Sequence, residues 1–315
     1  MAGRVLVVGS FNQDHVWTCA ALPIGGQTVS GSYATGPGGK GFNQAIAARR
    51  AGAETVFVAA LGTDPPADLA CELAQRDGLE LRAERVAAPT GCAAVVVDAE
   101  GRNQIVVAPG ANALLTTAFI AAQDDALRHA AVLLTQLEID RGAVRAALAA
   151  ARARGVRTIL NPAPADANLD CSLLGLADIV TPNETEFCAL LSATGGPALR
   201  PEALIEIDDA ELHALCRSVS AAIVVITLGA AGCFVSLQSV DADGRQYFRV
   251  AGLPADAIDT TGAGDAFNGA LAAALAGPLA DDFGQAVAFA NRYAARSTEK
   301  AGAALAMPFL TPQPS

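Results

Sequence analysis

The sequence of 315 residues has few features of an extracellular protein, of a protein stabilised by a structural metal site or of a nucleic-acid-binding protein. Its seven cysteines include no CxxC pair, which argues against a disulfide scaffold or a zinc cluster and fits a reducing compartment. Basic residues are scarce, 21 against 32 acidic ones, and the net charge of −11 disfavours binding to nucleic acid or anionic membranes. No basic-then-apolar signal segment opens the sequence. We therefore expect a cytoplasmic protein that binds neither nucleic acid nor a membrane.

Two nucleotide-binding fingerprints are also missing. Lys40 lies in the Gly-rich segment Gly36–Gln44, but it is followed by Gly41 and not by the Ser or Thr of a P-loop. Gly9–Asn12 lacks the second and third glycines of a dinucleotide-binding turn, so a nicotinamide-dependent oxidoreductase has no support. The uncharged stretch Ser218–Val240 is long enough to span a bilayer, but its glycines and β-branched residues favour two buried strands around a turn.

What the sequence does contain is a regular alternation of short apolar runs and Ala-rich helical stretches. Continuous apolar strands predict an α/β fold with a mostly parallel sheet covered on both faces. Such sheets bind ligands at the carboxyl ends of their strands. The predicted strands are Arg4–Gly9, Thr55–Ala60, Ala131–Leu134, Arg157–Asn161, Ile179–Thr181 and Ala222–Thr227, and the predicted helices are Asn43–Ala51, Leu69–Asp77, Ala143–Arg154, Thr185–Leu191 and Asp209–Ser218.

Two regions do not follow this alternation. Thr28–Thr35 alternates polar and apolar residues, and Gly91–Ala108 is typical of a hairpin with its turn at Asp98–Gly101. We interpret residues of about 14–37 and 91–108 as a small antiparallel sheet that forms a lid over the site. The alternative is a surface decoration.

The segment Asp259–Asp265 carries the strongest candidate chemistry. Its glycines precede a helix sequence, and they allow close approach of a ligand to the backbone. The helix N-terminus presents unpaired amides and the positive end of its dipole to an anion. Asp265, in the first turn, would take a proton from a hydroxyl that attacks a phosphoryl group. The alternative is a helix-start carboxylate that follows a plain glycine turn.

Further polar residues lie where strands are predicted to end. Asn12 and Asp14 follow the first strand, and a carboxylate with an amide suits vicinal hydroxyls. Lys40 and Asn43 would donate hydrogen bonds to a polyol from their Gly-rich turn. Glu138 follows a strand-like run, where an unpaired charge would be costly, so it favours a polar ligand or partner. For all but Glu138, turn or connection chemistry is the alternative.

Taken in order, these segments resemble the ribokinase-like (PfkB) carbohydrate kinase family from Val5 to about Pro308. The signatures Gly38–Gln44 and Asp259–Asp265 carry the resemblance, because together they are far more specific than either alone. The resemblance implies one kinase domain over residues 1–315. Its fold would be a three-layer αβα sandwich with a small β-sheet lid. It also implies ATP with Mg²⁺ or a similar divalent cation, and a homodimer formed through the lid.

The resemblance assigns roles by position. Catalysis would be carried out by the base Asp265 and by an anion hole of backbone amides from Gly262, Ala263 and Gly264. The sugar would be bound by Asn12, Asp14, Gly38, Gly39, Lys40, Asn43 and Glu138. ATP and Mg²⁺ would be bound by Asn183, Glu186, Thr227, Gly229, Gly232 and Asn291, although capping or turn chemistry is an alternative for the segments 182–186 and 227–232.

Members of the family also hold a monovalent cation, typically K⁺, beside the anion hole. Asp259 and Thr261 match two of its ligand positions, and carbonyls near Ser297 and Gly302 would supply others. The sequence departs from the family pattern at Ala306, where a serine hydroxyl is common. A second departure is a pair of prolines, residues 65–66, in place of a glycine-containing turn near the lid.

The activity that we expect is ATP-dependent phosphorylation of O5 of D-ribose. The observations behind it are Asn12 and Asp14 together with the segments Asn161–Pro164, Pro182–Glu186 and Gly110–Ala113, all of which resemble the ribokinase-like pattern. Fructose, deoxyribose, a nucleoside or another polyol is the alternative acceptor, because one pocket side chain decides between them. An alternative from a different class is a sugar-sensing protein that kept the fold and lost catalysis.

Overall fold

Strands and helices alternate over most of the chain in the structure, a computed structural model that describes residues 3–165 and 170–310. The strands are β1 Arg4–Val8, β2 Asn12–Cys19, β3 Gly31–Gly38, β4 Glu54–Leu61, β5 Glu80–Arg85, β6 Gly91–Val97, β7 Asn103–Ala108, β8 Ala130–Thr135, β9 Arg157–Leu160, β10 Ile179–Val180, β11 Ile223–Thr227, β12 Gly232–Ser236 and β13 Tyr247–Ala251. The helices are α1 Lys40–Arg50, α2 Pro65–Arg76, α3 Thr117–Ala121, α4 Asp124–His129, α5 Arg141–Arg152, α6 Glu184–Ala193, α7 Asp209–Val219, α8 Ala263–Leu275 and α9 Phe283–Ser297.

Nine of the strands form one sheet in the order β13-β12-β11-β10-β9-β8-β1-β4-β5. From β11 to β5 all neighbours pair in parallel, and only β12 pairs antiparallel, with β11 on one side and β13 on the other. The two strands predicted around the turn at 228–232 are β11 and β12. The prediction of a mostly parallel sheet is therefore confirmed.

Both faces of this sheet are buried by helices. Successive strand residues point to opposite sides, so each strand contributes to two cores. Along β1, Val5 and Val7 belong to one hydrophobic core and Leu6 and Val8 to the other. Helices α1, α2, α8 and α9 contribute to the first core, and α3 to α7 contribute to the second. The result is the predicted αβα sandwich. None of the helices in 3–165 and 170–310 has the length and hydrophobicity needed to span a membrane.

The remaining strands form a separate four-stranded sheet in the order β3-β2-β6-β7. The predicted hairpin is present as β6 and β7, with Gly101 in its turn at φ 78°. The strand predicted at Thr28–Thr35 is displaced, because β3 spans Gly31–Gly38. The sheet is also not purely antiparallel, since β2 pairs in parallel with β6.

The prolines at 65–66 open helix α2, a start that the sequence prediction placed four residues later. Proline is tolerated in the first turn because its missing N–H would have no intrahelical acceptor there. Asp64 caps the helix, and its carboxylate also accepts hydrogen bonds from the backbone and hydroxyl of Thr90, at 2.8 and 2.6 Å. The two prolines therefore start a helix and do not merely alter a turn.

A buried ion pair ties the C-terminal segment to the core. Arg50, at the end of α1, contacts Asp77 at 2.7 Å, and both side chains are 4% exposed. The same guanidinium donates to the carbonyls of Leu305 and Met307, at 3.2 and 2.9 Å. Residues 305–307 are thus held against α1.

Candidate active site

The candidate site lies along the edge of the large sheet where its parallel strands end. Strands β9, β10 and β11 lead directly to the polar residues Asn161, Thr181 and Thr227, which line a cleft of about 470 Å³ that opens to solvent. This position is the one that a parallel sheet favours for ligands. The cleft is lined by Lys40, Asn161, Ala163, Thr181, Asn183, Glu186, Thr227, Thr260, Gly262, Ala263, Gly264, Asp265 and Asn268.

Asp265 stands in the first turn of α8, as predicted, and is only 7% exposed. Gly262 caps this helix in the left-handed conformation, with φ 76°, which residues with a Cβ rarely adopt. Both oxygens of the carboxylate accept hydrogen bonds from side-chain amides of α1. Asn43 Nδ2 donates to Oδ2 at 2.9 Å, and Gln44 Nε2 donates to Oδ1 at 2.9 Å.

Burial raises the pKa of Asp265 above its ordinary value, because desolvation disfavours the charged form. The charge of Lys40 and the two amide hydrogen bonds act in the opposite direction. The carboxylate is therefore both a stronger base than an exposed aspartate and fixed in orientation. These are properties that a general base requires.

The amides of the proposed anion hole belong to the start of α8. An α-helix leaves its first four N–H groups without intrahelical partners, and its N-terminus carries a partial positive charge. The amide of Ala263 donates to Thr260 O at 3.1 Å, so one of the three assigned donors already has a partner. All three residues line the cleft together with Asp265.

A group of acidic side chains surrounds Lys40. Glu138 Oε2 accepts hydrogen bonds from Ser10 Oγ at 2.7 Å and from the Lys40 backbone N–H at 2.9 Å. The expectation of a polar partner for Glu138 is met by these two groups. Burial by itself lowers the pKa of an ammonium group, but for Lys40 nearby carboxylates outweigh it and raise the pKa; they are Asp265, Glu138 and Glu186.

Asp14 belongs to the same group. Desolvation, with smaller contributions from Glu138 and Asp265, raises its pKa from 3.8 to about 6. Its carboxylate fills the space beside Gly38, because a Cβ on that glycine would overlap the Asp14 side chain. Glycine at position 38, in the first signature, therefore leaves space for the Asp14 carboxylate.

The other glycines of this signature serve backbone packing. Gly39 has φ 87°, and a Cβ there would lie 2.7 Å from Asn12 N. A Cβ on Gly41 would overlap the backbone of Gly9 and Ser10. The start of α1 thus packs directly on the loop that follows β1. Asn12 is 4% exposed, and its Oδ1 accepts a hydrogen bond from Asn112 Nδ2 at 2.8 Å.

At the other end of the cleft, Asn183 and Glu186 form a capping box at the start of α6. Asn183 Oδ1 accepts from Glu186 N at 2.8 Å, and Glu186 Oε2 accepts from Asn183 N at 2.9 Å. The capping alternative is therefore realised, yet both residues also line the cleft. Burial, the largest effect, raises the pKa of Glu186.

The nucleotide-site candidates divide into those that line the cleft and those that do not. Thr227 lines it, at the end of β11. Gly229 and Gly232 adopt positive φ in the turn that follows, and a Cβ on Gly232 would overlap Val250 O. Asn291 is 8% exposed and donates to Ala251 O at 2.8 Å, so it joins α9 to the end of β13.

The candidate cation ligands lie on a loop held by hydrogen bonds. Asp259 accepts from Thr261 N at 2.9 Å and from Gly302 N at 2.8 Å. Burial tends to raise the pKa of Asp259, but these hydrogen bonds outweigh it and lower the pKa, which keeps the carboxylate charged. Ser297 Oγ donates to Ala294 O at 2.7 Å. Ala306 is buried at 2% exposure and offers no side-chain oxygen.

Several residues at the site received no role from the sequence. Gln44 stands in the first signature, but its position beside Asn43 gave no sign of a contact with Asp265. Thr181 Oγ1 donates to Asn268 Oδ1 at 2.5 Å, and Asn268 Nδ2 donates to Gly264 O at 2.8 Å, so this pair supports the start of α8. For Gln44 and Asn268 the only signal in the sequence was a polar residue within an otherwise apolar helical segment.

Comparisons with known proteins identify the family and agree with the fold. A family model described as pfkB family carbohydrate kinase matches residues 2–310. The ribokinase of Staphylococcus aureus (strain COL) is 36% identical over 315 residues, which cover 98% of each chain. The ribokinase structure from Giardia lamblia gives a TM-score of 0.85 at 30% identity, and it covers 98% of this chain and 96% of that one. Arabidopsis thaliana ribokinase, in a structure complexed with ribose and ATP, gives a TM-score of 0.81 at 30% identity and the same coverage.

We predict that Asp14 titrates near pH 6 and that its pKa falls in Glu138→Gln. Removing a neighbouring negative charge favours the carboxylate form, although desolvation continues to raise the pKa. Carbon-13 NMR of labelled aspartates, assigned with Asp14→Asn, measures this value. Glu100→Gln, in the turn between β6 and β7, is the matched control and should leave it unchanged. An Asp14 that titrates at 3.8 in the unaltered protein contradicts the prediction.

Proposed function

The chain belongs to the pfkB family of carbohydrate kinases, and on that premise we propose that it transfers the γ-phosphoryl group of ATP to O5 of D-ribose. The products are D-ribose 5-phosphate and ADP. The observation that carries the proposal is the Asp265 carboxylate, buried at the start of α8 with both oxygens held by amides of α1. Similarity over nearly the full chain to ribokinases, one of them solved with ribose and ATP, supports ribose as the acceptor.

In this proposal Asp265 is the general base. It accepts the proton of the attacking hydroxyl while that oxygen forms a bond to the γ-phosphorus, and the bond from phosphorus to the β-phosphate oxygen breaks. The negative charge on the transferring group faces the first turn of α8 and the ammonium of Lys40. Positioning and charge stabilisation account for most catalysis of this kind.

The two substrates approach Asp265 from opposite ends of the site. The sugar end contains carboxylate, amide and backbone groups that match vicinal hydroxyls, and it is formed by Asn12, Asp14, Gly38, Gly39, Lys40, Asn43 and Glu138. The nucleotide end is formed by Asn183, Glu186, Thr227, Gly229, Gly232 and Asn291. The anion hole between them consists of Gly262, Ala263 and Gly264, with Gly264 offering an amide of the first helical turn.

A divalent cation fits the nucleotide end by its chemistry. Mg²⁺ prefers oxygen ligands and usually keeps several waters between itself and the protein. Glu186 and Asn183 present side-chain oxygens in the lining of the cleft. They would hold the hydrated ion, which neutralises phosphate charge when bound. No cluster of three His, Cys, Asp or Glu that could hold a metal ion occurs within 3–165 and 170–310.

We also propose a K⁺ site beside the anion hole. Asp259 keeps its charge and accepts a hydrogen bond from the amide of Gly302. The next residue, Ala303, lies beside the start of α8, because a Cβ on Gly262 would lie 2.9 Å from the Ala303 Cβ. Asp259 and Thr261, with carbonyls near Ser297 and Gly302, would hold the ion. A cation there would strengthen the positive potential of the anion hole. Ala306 leaves this ligand set one hydroxyl short.

The lid supports a proposal about assembly. All six residues of β7 are exposed, and β7 is an edge strand of the small sheet. Val106 is 72% exposed, and Ile105 and Val107 are about half exposed. An apolar edge strand invites pairing with another strand. We propose that two copies pair their lids symmetrically to form a homodimer.

Two broader proposals follow from the same premise. The cytoplasm is the proposed location, supported by a sequence whose seven cysteines include no CxxC pair. Residues 1–315 are proposed to form one kinase domain with its lid, supported by a site to which both sheets contribute residues. Positions 1–2, 166–169 and 311–315 of that range lie outside the described residues.

The acceptor and the base are tested together. We expect ADP release to be greatest with D-ribose in a panel that also contains deoxyribose, fructose and nucleosides. Asp265→Asn should lower kcat on the order of 10²- to 10⁴-fold, because the amide cannot accept the proton, while ribose binding is largely retained. Negligible turnover of ribose beside strong turnover of another sugar rejects the acceptor. Normal turnover by Asp265→Asn rejects the mechanism.

The K⁺ proposal predicts that turnover rises with K⁺ in a sodium-free, non-activating buffer. Ala306→Ser should lower the concentration needed for half-maximal activity by roughly tenfold, because a further oxygen ligand is worth about one hydrogen bond to a charged group. Ala304→Ser, in the same turn and equally buried, is the control. The melting temperature measured against K⁺ concentration gives a readout without turnover. Turnover and melting temperature that are both independent of K⁺ exclude the site.

The assembly proposal predicts a dimer in sedimentation velocity. Val106→Lys should shift it to monomer, because a lysine on an edge strand opposes pairing with another edge. Val240→Lys, at a position that is 56% exposed and outside the lid, is the control and should leave the dimer intact. A monomeric profile for the unaltered protein at micromolar concentration is incompatible with the proposal.

A further inference from the structure

Three buried side-chain amides form a hydrogen-bonded chain behind Asp265. We call Gln136, Gln44 and Asn161 the amide chain. Gln136 and Gln44 are 0% exposed and Asn161 is 6% exposed. Gln136 Nε2 donates to Gln44 Oε1 at 2.5 Å, and Gln44 Nε2 donates to Asn161 Oδ1 at 3.1 Å. These contacts connect strand ends β8 and β9 through helix α1.

The direction of every hydrogen bond in the amide chain is set from one end. Asn161 Nδ2 donates to the carbonyl of Thr181 at 2.9 Å, and a carbonyl can only accept. Asn161 must therefore turn its Oδ1 toward Gln44. Gln44 must in turn present its Nε2 group there, which leaves its Oε1 for Gln136.

With its amide in this orientation, Gln44 can donate a second hydrogen bond, to Asp265. The two hydrogens of its Nε2 group reach Asn161 Oδ1 and Asp265 Oδ1, the latter at 2.9 Å. If the amide of Gln44 were reversed, its Oε1 would face the carboxylate oxygen of Asp265 and repel it. The amide chain thus keeps a donor aimed at one oxygen of the base.

The far end of the amide chain is accommodated by a glycine. A Cβ on Gly9 would overlap Gln136 Oε1, so the residue that follows β1 leaves space for this oxygen. Gln136 Oε1 has no hydrogen-bond partner among the described residues. An unpaired buried oxygen is costly, so its retention suggests that the opposite side of the amide, the donor to Gln44, has a use.

We propose that Gln44 is a positioning residue that keeps Asp265 oriented and ionised, and that Gln136 holds the Gln44 amide in its donating orientation. This inference rests on the proposed role of Asp265 as the base. A hydrogen bond to the charged form of an acid favours that form. Losing the donor should therefore move the pH below which the base is protonated, which a purely structural contribution would not do.

The test compares pH profiles of kcat in Gln44→Met, Gln136→Met and the control Gln123→Met. Gln123 is also a buried glutamine whose side chain makes two hydrogen bonds, but it does not line the cleft. Its Nε2 donates to Phe119 O, and its Oε1 accepts from Arg82. We expect the acid limb to move upward by roughly one pH unit in Gln44→Met and by less in Gln136→Met. The Michaelis constants for both substrates should change little, and the control should keep the profile of the unaltered protein.

A second measurement is independent of turnover. The infrared band of the Asp265 carboxyl group, identified by its loss in Asp265→Asn, reports the pH at which this residue ionises. We expect this pH to rise in Gln44→Met and Gln136→Met alike. If both variants fold and neither the kinetic limb nor the infrared midpoint moves, the inference is overturned. If Gln44→Met fails to fold, Gln136→Met decides the question alone. Absence of kinase activity in the unaltered protein refutes the proposed function, whereas the infrared midpoint still tests the amide chain.

Discussion

The candidate site depends on how closely helix α1 packs against its two neighbours. A Cβ on Gly41 would overlap the loop after β1, and a Cβ on Gly269 in α8 would overlap the Gln44 carbonyl. Only with glycine at both positions can α1 approach the sheet edge and α8 at once. That approach brings Asn43 and Gln44 within 2.9 Å of the Asp265 carboxylate. The orientation of the Asp265 carboxylate, the proposed base, is thus a consequence of backbone packing, because glycine at these positions removes the side chains that would separate the elements.

This packing also explains what the sequence could and could not predict. Continuous apolar runs predicted the parallel sheet within a residue or two, because burial on both faces leaves a clear pattern. The family signatures predicted that Asp265 would stand in the first turn of a helix. They could not predict the contact with Gln44, which joins residues 221 positions apart. The apolar runs, for their part, did not predict β5, because the charged residues of this edge strand interrupt any continuous apolar run.

The candidate site carries more negative than positive charge, and different groups offset this excess at its two ends. Asp14, Glu138, Asp265 and Glu186 all act on one another or on Lys40, so one ammonium group faces several carboxylates. In a protein of net charge −11 this excess would repel a bare nucleotide. The raised pKa of Asp14, and the hydrogen bonds that Glu138 accepts from Ser10 and the Lys40 amide, reduce the repulsion at the proposed sugar end. At the nucleotide end a divalent cation bound to the phosphates would do the same, which is why the proposed function requires one.

Helix α1 has a second task at its other end. Arg50 holds the carbonyls of residues 305 and 307, and Asp259 holds the amide of Gly302. The segment between them carries Ala303, whose Cβ would lie 2.9 Å from a Cβ on Gly262, the cap of α8. The loop proposed to hold K⁺ is therefore held by hydrogen bonds between its backbone and the side chains of Arg50 and Asp259, and these need no cation. This gives a physical reason why Ala306 is compatible with the loop: the absence of a side-chain oxygen removes one possible cation ligand without removing the contacts at the start of α8.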